Sequence, residues 1–376
     1  MARFICTRCQ TSHPIDSALW RCPCGGVLDI LHRVRIPVET VKSRARTLWR
    51  YRETLPLDDD RNRVTFQEGY TPLVPARFGP KKVLLKLEYL FPSGSFKDRG
   101  TAVLVSKLKE LGVTSVIGDS SGNAGLSLAM YGARGGLECR IYVPPWPAPV
   151  TVEMMKTLGA SVVVVEGSRS DVERAAQEGS LARNSSPTKR YAGHNWHPFF
   201  LEGTKTFAYE VAEQLGWTVP DAVLFPVGNG SLLLGAYRGF GDLLRLGLVE
   251  RMPRLIGVQP ERCAPIVRAF RDNRDTIEPV EPGETVAEGT SLPDPPRGTQ
   301  VLQAVRESGG SLLSVTEEEI VASLERVRRM GYLIQPTSAV ATAGLEKYPF
   351  TSRDRTVVAP LTGWGMSRMV SPGRVA

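Results

Sequence analysis

The sequence predicts an α/β protein built on open, mostly parallel β-sheets. From about residue 83 onward, short apolar runs alternate with longer amphipathic stretches. The short runs are apolar throughout, which is typical of parallel strands that are covered by helices on both faces. The chain has 376 residues, of which 42% are hydrophobic, so it can form two or three domains with packed cores.

The alternation predicts the individual elements in chain order. The predicted strands are 83–87, 115–118, 140–143, 161–165, 222–225, 254–258 and 356–361. The predicted helices are 98–111, 123–134, 151–158, 203–215 and 231–246. Thr316 and Glu319 have the spacing of a capping box that begins a further helix. Residues 272–300 are rich in Pro, Gly and acidic residues and are predicted to form a long surface connection.

Composition restricts the classes of function. The net charge of +8 is scattered along the chain, which allows anionic small ligands and does not by itself indicate nucleic acid. No apolar run is long enough to span a membrane, and the N-terminus lacks the apolar core of a signal peptide. We therefore expect a cytoplasmic protein with neither a membrane nor a nucleic-acid partner.

Four of the six cysteines lie in the first 24 residues. Two closely spaced pairs predict a small metal module over residues 1–32, with Zn²⁺ bound by four thiolates: Cys6, Cys9, Cys22 and Cys24. The second pair has one intervening residue where two are usual, so free thiols held by local packing are the alternative. His13 and His32 are expected to be surface residues, with replacement of a thiolate as the other possibility. Cys139 and Cys263 are expected to be buried small hydrophobes.

A lysine at a small-residue turn is the most reactive candidate. Lys97 follows Pro92-Ser93-Gly94-Ser95-Phe96 and precedes a predicted helix. The helix dipole disfavours a cation there, which biases the amine toward its neutral, nucleophilic form. Such an amine can form a Schiff base with a carbonyl cofactor. On sequence chemistry alone, a solvated loop lysine is the simpler interpretation.

Two Gly-rich turns strengthen the case for a cofactor site. Ser120-Ser121-Gly122-Asn123-Ala124-Gly125 follows one predicted strand, and Pro226-Val227-Gly228-Asn229-Gly230-Ser231 follows another. Each turn opens a predicted helix, whose N-terminal amides can bind a carboxylate or a phosphate. One Gly-rich turn is weak evidence, but two of them together with the turn lysine form a more specific constellation.

Segments along nearly the whole chain carry a family resemblance. The most specific segment is Lys86-Leu87-Glu88 running into Gly94-Ser95-Phe96-Lys97-Asp98-Arg99. The others are Glu68-Gly69-Tyr70-Thr71-Pro72-Leu73, Ser121-Gly122-Asn123, Glu202-Gly203-Thr204-Lys205-Thr206, Gly228-Asn229-Gly230, Pro336-Thr337-Ser338-Ala339, Leu361-Thr362-Gly363 and the cysteine module. Together they resemble threonine synthases, which are fold-type-II pyridoxal-phosphate (PLP) enzymes related to tryptophan synthase β.

The resemblance implies a role for each matching residue. Lys97 would hold PLP as a Schiff base and act as general base at the Cα of an amino-acid substrate. Asn123 would bond the ring oxygen, and Thr362 would face the pyridine nitrogen. The implied phosphate-binding residues are Gly228, Asn229, Gly230 and Ser231. The residues implied to lie near the substrate carboxylate are Ser121, Gly122 and Ala124.

The chain departs from the family at positions that contact the substrate phosphate. Phe200 stands where an arginine is usual, Leu232 replaces an asparagine, and His194-Asn195 replaces an Asn-Ser pair. An unpaired buried dianion is costly, so these changes disfavour a phosphorylated substrate unless Lys86, Lys205 or Arg99 compensates. Gln335 stands where the family usually has a glutamate.

The resemblance also implies an overall architecture and a ranking of functions. It implies two open, twisted sheet domains with the cofactor in the cleft between them: a small domain of 86–195 and a large domain of 33–85 with 196–376. The predicted function is a threonine-synthase-like PLP lyase that forms a homodimer. The alternative within enzymes is β-replacement or β-elimination on a serine- or cysteine-type amino acid. The alternative outside enzymes is an inactive lyase fold whose zinc ribbon binds nucleic acid.

Overall fold

The computed structural model describes residues 2–145, 149–181, 188–352 and 354–365. Its strands are β1 Arg3–Cys6, β2 Ser12–Pro14, β3 Leu28–Leu31, β4 Leu73–Phe78, β5 Lys81–Lys86, β6 Ser115–Gly118, β7 Glu138–Val143, β8 Ser161–Val164, β9 Lys189–Tyr191, β10 Ala222–Pro226, β11 Arg254–Pro260, β12 Ser311–Val315 and β13 Val357–Pro360. Its helices are α1 Val38–Ser43, α2 Lys97–Glu110, α3 Asn123–Gly135, α4 Pro149–Thr157, α5 Arg169–Leu181, α6 Pro198–Thr204, α7 Thr206–Gln214, α8 Ser231–Arg245, α9 Pro265–Arg271, α10 Gly298–Glu307, α11 Glu317–Arg329 and α12 Pro336–Lys347.

The chain divides into two compact units, each made of two segments. The first unit comprises 1–70 and 97–206, and the second comprises 71–96 and 207–376. The domain limits given by the sequence, at 32/33, 85/86 and 195/196, stay a prediction.

The first unit contains two sheets. A small antiparallel sheet has the order β2-β1-β3 and carries the cysteine module. A second sheet has the order β8-β7-β6-β9, and all of its strand pairs are parallel. Apolar side chains of α2 and α3, such as Val103 and Leu128, pack with Val116 of β6 into one core. Because the strands are parallel, the loops that follow β6, β8 and β9 lie at the same edge of this sheet.

The second unit is built on one six-stranded sheet with the order β12-β11-β10-β13-β5-β4. All neighbours in it are parallel except the edge strand β4, which runs antiparallel to β5. The central strands β10 and β13 are apolar throughout, and Leu224, Ile256 and Val340 lie in the shared core. The predicted α/β class with mostly parallel sheets is confirmed.

The strongest periodic signals gave elements close to those observed. The strand 115–118 has the predicted bounds, and the helices predicted over 98–111 and 231–246 differ by a residue at their ends. The capping box of α11 is present, with Glu319 N donating to Thr316 Oγ1 at 3.3 Å and Thr316 N donating to Glu319 Oε2 at 2.8 Å. Within the described ranges, every helix is too short or too polar to cross a lipid bilayer.

One predicted helix was wrong in its extent. The helix predicted over 203–215 begins earlier, at Pro198, and is interrupted at Lys205 between α6 and α7. Thr204 Oγ1 donates to Leu201 O, and Thr206 Oγ1 donates to Gly203 O. These hydroxyls bond back to the preceding turn and compete with the regular backbone ladder, which favours a break there. Helices α5, α9, α10 and α12 were not predicted from periodicity.

Candidate active site and metal centre

Lys97 is the first residue of α2, and the chain that leads to it is fixed by backbone bonding. Ser95 forms an antiparallel bridge with Gly363, and Phe96 N donates to Thr362 O at 3.1 Å. Lys97 is half-buried. Desolvation, with the charge of Arg169 adding to it, lowers the pKa of the Lys97 amine from 10.5 to about 7. A large fraction of this amine is therefore neutral at physiological pH and can act as a nucleophile or base.

The predicted carboxylate-binding turn lies between β6 and α3, in the same unit as Lys97. Helix α3 begins at Asn123, and its N-cap residue Gly122 supplies no side-chain cap. Because the N-cap residue is a glycine, it places no side chain of its own over the helix N-terminus, where an anion can approach. Ser121 is half-buried and Ala124 is buried, which leaves the turn narrow and partly screened from water.

The predicted phosphate turn lies between β10 and α8 in the second unit. Gly230 is the N-cap residue and has a φ of 78°, a conformation that L side chains rarely adopt. A Cβ at Gly230 would also lie 2.3 Å from Val301 Cγ2, so only glycine fits. Asn229 Oδ1 accepts from Arg297 N at 3.3 Å, which fixes the turn against the start of α10. Gly228, Asn229, Gly230 and Ser231 thus present a helix N-terminus suited to a phosphate.

Thr362 follows β13, whose neighbour β10 leads to the phosphate turn. Its Oγ1 lies 3.1 Å from Ser338 Oγ. Ser338 Oγ also accepts from Gly363 N at 2.9 Å. Both side chains are buried, so the Thr362 hydroxyl has a defined direction. Ser338 was not assigned a role from the sequence, although it lies in one of the segments that carry the resemblance.

Phe200 packs directly against the first turn of α2. A Cβ at Gly100 would lie 2.5 Å from the Phe200 ring, and one at Gly203 would lie 1.9 Å from Arg99 O. Helices α6 and α2 therefore approach at backbone distance through two glycines. The Phe200 ring centroid is 5.9 Å from Lys97 Nζ and 5.7 Å from the His194 ring. An aromatic surface thus lies beside the reactive amine where an arginine is usual.

His194 adds a neutral group to this surface. Burial, together with the charges of Lys97 and Arg169, holds the pKa of His194 well below its usual range. His194 and Phe200 line a small cavity of about 10 Å³ that also contacts Ser120 and Ala124. The first unit therefore has uncharged side chains at two of the positions where the resemblance implies contacts to a substrate phosphate.

The basic residues that were considered as replacements are already engaged. Lys86 Nζ pairs with Glu210 Oε2 at 2.9 Å, and Lys205 Nζ pairs with Glu202 Oε2 at 2.6 Å. Arg99 is fully buried and donates to Thr206 Oγ1 at 3.0 Å. Leu232 and Gln335 are buried and uncharged. Breaking a buried ion pair is costly, so these lysines are structural residues.

The four N-terminal cysteines converge on one point. Their Sγ atoms all lie within 4.8 Å of one another. The Cys6–Cys24 and Cys9–Cys22 sulfur separations are 3.5 and 3.6 Å. Those distances are far longer than a disulfide bond and match the edges of a sulfur tetrahedron around one ion. His13 Nε2 lies 3.4 Å from Cys22 Sγ, at the margin of this cluster.

His32 belongs to a different cluster, which corrects both expectations for it. Its Nε2 lies 2.7 Å from Glu202 Oε2, and its side chain is 8% exposed. Burial acts to raise the pKa of Glu202, but Lys205 and His32 outweigh it and lower that pKa to about 2. This buried group joins the end of β3 to α6. Cys139 and Cys263 are buried, as expected, and burial raises the pKa of Cys139 to about 12.

Comparisons with known proteins agree with the fold. Residues 64–363 match the family described as pyridoxal-phosphate dependent enzyme, and the chain belongs to that family. The threonine synthase of Methanosarcina acetivorans is 36% identical over 373 residues, covering 95% of this chain and 90% of the relative. That of Methanocaldococcus jannaschii is 34% identical over 380 residues, covering 96% and 92%. The predicted family is therefore confirmed.

Solved structures share the fold. A threonine deaminase from T.th. has a TM-score of 0.64 at 25% identity, covering 81% of this chain and 94% of that chain. A PLP-dependent aspartate racemase has a TM-score of 0.69 at 21% identity, covering 89% and 97%. The arrangement of helices and parallel strands is thus common to PLP enzymes with several different reactions, and it does not by itself identify the substrate.

Proposed function

We propose that this protein is a PLP-dependent lyase that acts on an amino acid in the manner of a threonine synthase. The observation that carries the proposal is Lys97, an amine with a pKa of about 7 at the first residue of α2. Desolvation of a lysine is a known route to a reactive amine.

The residues that hold PLP are proposed from their local geometry. Gly228, Asn229, Gly230 and Ser231 bind its phosphate at the N-terminus of α8. Asn123 bonds the ring oxygen, and Lys97 holds the aldehyde carbon covalently. Bound there, PLP supplies an electron sink for the carbanion that forms at the substrate Cα.

The side chains of this protein handle the proton and the substrate. With PLP bound, Lys97 Nζ would be the group that accepts the proton from the substrate Cα. Ser121, Gly122 and Ala124 orient the substrate carboxylate at the N-terminus of α3. The aromatic surface of Phe200 excludes water from this amine and favours its neutral form.

Thr362 sets how strongly the ring attracts electrons. Ser338 accepts from Gly363 N, so its own proton is directed to Thr362 Oγ1 or Gly363 O. Thr362 can therefore donate its hydrogen to the pyridine nitrogen. A neutral hydroxyl does not stabilise a pyridinium as an aspartate does, which favours loss of a β or γ substituent over transamination.

A second candidate function is β-replacement or β-elimination on a serine- or cysteine-type amino acid. Phe200 and His194 favour it, because neither side chain offers a charge to a substrate phosphate. The two candidates differ in product. Threonine synthesis from O-phospho-L-homoserine releases phosphate together with threonine, whereas β-elimination from a serine derivative releases a keto acid and ammonia.

Cofactor binding and turnover are tested with Lys97→Ala and the matched control Lys109→Ala, an exposed lysine of the same helix. We expect the purified wild type and the control to show the visible absorbance of bound PLP, and Lys97→Ala to lose it. The wild type is then assayed with O-phospho-L-homoserine, O-phospho-L-serine, O-acetyl-L-serine and L-threonine. Equal absorbance in wild type and Lys97→Ala, or no turnover of any of these amino acids, would contradict the proposal.

We also propose that Cys6, Cys9, Cys22 and Cys24 bind one structural Zn²⁺. The proposal is supported by the convergence of four sulfurs and by the preference of zinc for tetrahedral thiolate sites. The ion would take no part in the reaction.

Homodimer formation, a cytoplasmic location and the domain limits named above are further proposals, and they rest on the family resemblance. Light scattering of the purified protein tests the first of them, because a dimer would have twice the chain mass of 41.2 kDa.

A further inference from the structure

We propose that Arg169 binds an oxyanion on the side chain of the substrate, and so forms the anion subsite that Phe200 does not provide. This inference rests on the proposed function. It concerns the first unit alone and follows from the placement of α5. Relatives whose arginine lies at position 200 would bind the same chemical group from α6. Here the cation would come from the first residue of a different helix.

Topology brings the start of α5 to the edge of the sheet that carries the candidate active site. Strand β8 runs parallel to β7, β7 runs parallel to β6, and β6 runs parallel to β9. Helix α5 follows β8, so it begins at the carboxyl edge. The proposed carboxylate turn follows β6 at that edge, and His194 follows β9 there. Arg169 is thus at the same end of the sheet as both.

Arg169 lies on the face of α5 that packs toward the sheet and toward the segment that follows β9. Val172 and Ala176 of the same helix are buried against the sheet. Glu173, one turn after Arg169, accepts from Trp196 Nε1 at 2.8 Å. Positions 169, 172, 173 and 176 share one face of a helix. Since helical side chains point toward the N-terminus, the Arg169 side chain extends from this face past the strand ends.

Electrostatic effects agree with this placement. The charge of Arg169 acts on the pKa of Lys97, of Asp119 and of His194, lowering each one. Burial is the largest cause of all three shifts: it raises the pKa of the Asp119 carboxyl and lowers the pKa of Lys97 and of His194. The common element is Arg169, so its guanidinium lies within electrostatic reach of the candidate base, of His194 and of Asp119, the residue that precedes the carboxylate turn. The charge of Arg169 also acts on the pKa of Glu173.

Arg169 is available to a ligand. It is exposed, and within the described part of the chain no carboxylate lies at ion-pair distance from it. Lys86 and Lys205 are held by buried glutamates, as described above. The other arginine of α5, Arg174, differs from it, since it pairs with Asp171.

The chemistry of the subsite identifies the ligand class. A guanidinium presents a planar fork of donors that matches the oxygens of a carboxylate or a phosphoryl group. The neighbouring Phe200 and neutral His194 provide no second charge. The ligand is therefore an amino acid with one oxyanion beyond its α-carboxylate, located either on a leaving group or on a retained side chain.

The test measures binding to the holoenzyme of wild type, Arg169→Gln and the control Arg174→Gln. The probes are O-phospho-L-serine, with the anion on the leaving group, L-aspartate, with a retained anion, and the neutral O-acetyl-L-serine. We expect Arg169→Gln to weaken binding of at least one anionic probe by about 10- to 100-fold, the loss typical of a charged hydrogen bond. The affinity for O-acetyl-L-serine should change by less than about twofold, which is well below the loss expected when one charged hydrogen bond is removed.

Steady-state constants separate binding from chemistry. Rates are measured at a pH well above the midpoint of Lys97, where its amine is neutral in both proteins. For whichever anionic probe turns over, KM should rise in Arg169→Gln while kcat stays near that of wild type, because the lost contact binds ground state and transition state alike. The control Arg174→Gln should match wild type with every probe. The anionic probe that responds decides whether the oxyanion is on the leaving group or on a retained side chain.

Three results would overturn the inference: a wild type that binds neither anionic probe more tightly than O-acetyl-L-serine, an equal loss with all probes in Arg169→Gln, or an equal effect of Arg174→Gln. A folding defect in Arg169→Gln is recognised by its thermal unfolding and by weakened binding of the neutral probe. Failure of the proposed function is a separate result, since it would appear as an absence of bound PLP in the wild type.

Discussion

At the scale of single residues, the environment of Lys97 is the feature that turns a common side chain into a reactive one. Its amine has a pKa of about 7 because desolvation disfavours the ammonium form and Arg169 repels it. The sequence predicted a shift in this direction from the helix dipole. The structure attributes the shift to desolvation first and to a neighbouring charge second.

The lowered pKa of Lys97 predicts how PLP binding depends on pH. Only the neutral amine attacks an aldehyde, so the rate at which apoprotein takes up PLP should rise through a midpoint near pH 7 and level off above it. Stopped-flow absorbance after mixing apoprotein with PLP measures this rate. A rate that keeps rising toward the ordinary lysine value of 10.5 would show that the amine is not perturbed. Arg169→Gln should move the midpoint upward.

Glu202 predicts a second pH effect, on stability. Its pKa falls from 4.5 to about 2 in the folded protein, so its stabilising contribution is present above pH 4.5 and is lost as the pH falls from 4.5 toward 2. The shift corresponds to about 3 kcal/mol at neutral pH. Glu202→Gln should lower the free energy of unfolding at pH 7 by about 3 kcal/mol, since it leaves Lys205 without its partner.

Urea unfolding at pH 7 and pH 3 measures this contribution. The control Glu325→Gln removes an exposed pair with Arg329 and should cost less than about 1 kcal/mol. The difference between Glu202→Gln and wild type should shrink at pH 3. A difference that stays constant between the two pH values would show that packing, and not charge, is responsible.

At the scale of elements, helix α6 links the cysteine module to the reactive lysine within the first unit. The module contacts α6 through Phe4 against Phe199 at 5.4 Å and through His32 against Glu202. Two residues before Glu202, Phe200 packs on the first turn of α2. The interruption between α6 and α7 lies immediately after this contact region, at Lys205.

Removal of the metal is therefore expected to lower the stability of the first unit as well as that of the cysteine module. Wild-type protein should contain about one equivalent of Zn²⁺ per chain and lose it to a chelator, because a structural zinc supplies folding energy to its own domain. Cys9→Ser should reduce the zinc content and lower the unfolding temperature. Cys263→Ala, which removes a buried thiol outside the cluster, should keep the full zinc content.

Elemental analysis and differential scanning calorimetry measure both effects. If chelation left the unfolding temperature unchanged, the cysteine cluster would not be a structural zinc site. If Cys263→Ala also lost zinc, the loss would follow from general destabilisation and not from a missing ligand.

At the scale of the whole molecule, fold and specificity are decided by different residues. The parallel sheets and the Gly-rich turns are features that match a family of PLP enzymes with several activities. Substrate specificity depends on a few side chains whose role cannot be read from a short sequence pattern. The family resemblance implies departures at Phe200 and His194, and Arg169 lies on a helix that the sequence did not predict.

The sequence by itself determined the fold class, the family and the positions of the two Gly-rich turns. These depend on local patterns, namely apolar runs of strand length, glycines that open helices, and a lysine after small residues. Such patterns are short in sequence, so no long-range contact is needed to read them. The bounds of β6 and the capping box at Thr316 belong to this class.

Tertiary structure alone decided which charges are available. Lys86 and His32 looked like candidates in the sequence, but each is engaged by a buried glutamate that is distant in the chain: Glu210 lies 124 residues from Lys86, and Glu202 lies 170 residues from His32. Lys205 pairs with the same Glu202 three residues away, and it is the burial of this pair that the sequence does not state. The neutrality of His194 also depends on neighbours brought close by folding. The physical reason is that desolvation and pairing are properties of a residue's surroundings, which the order of residues along the chain does not state.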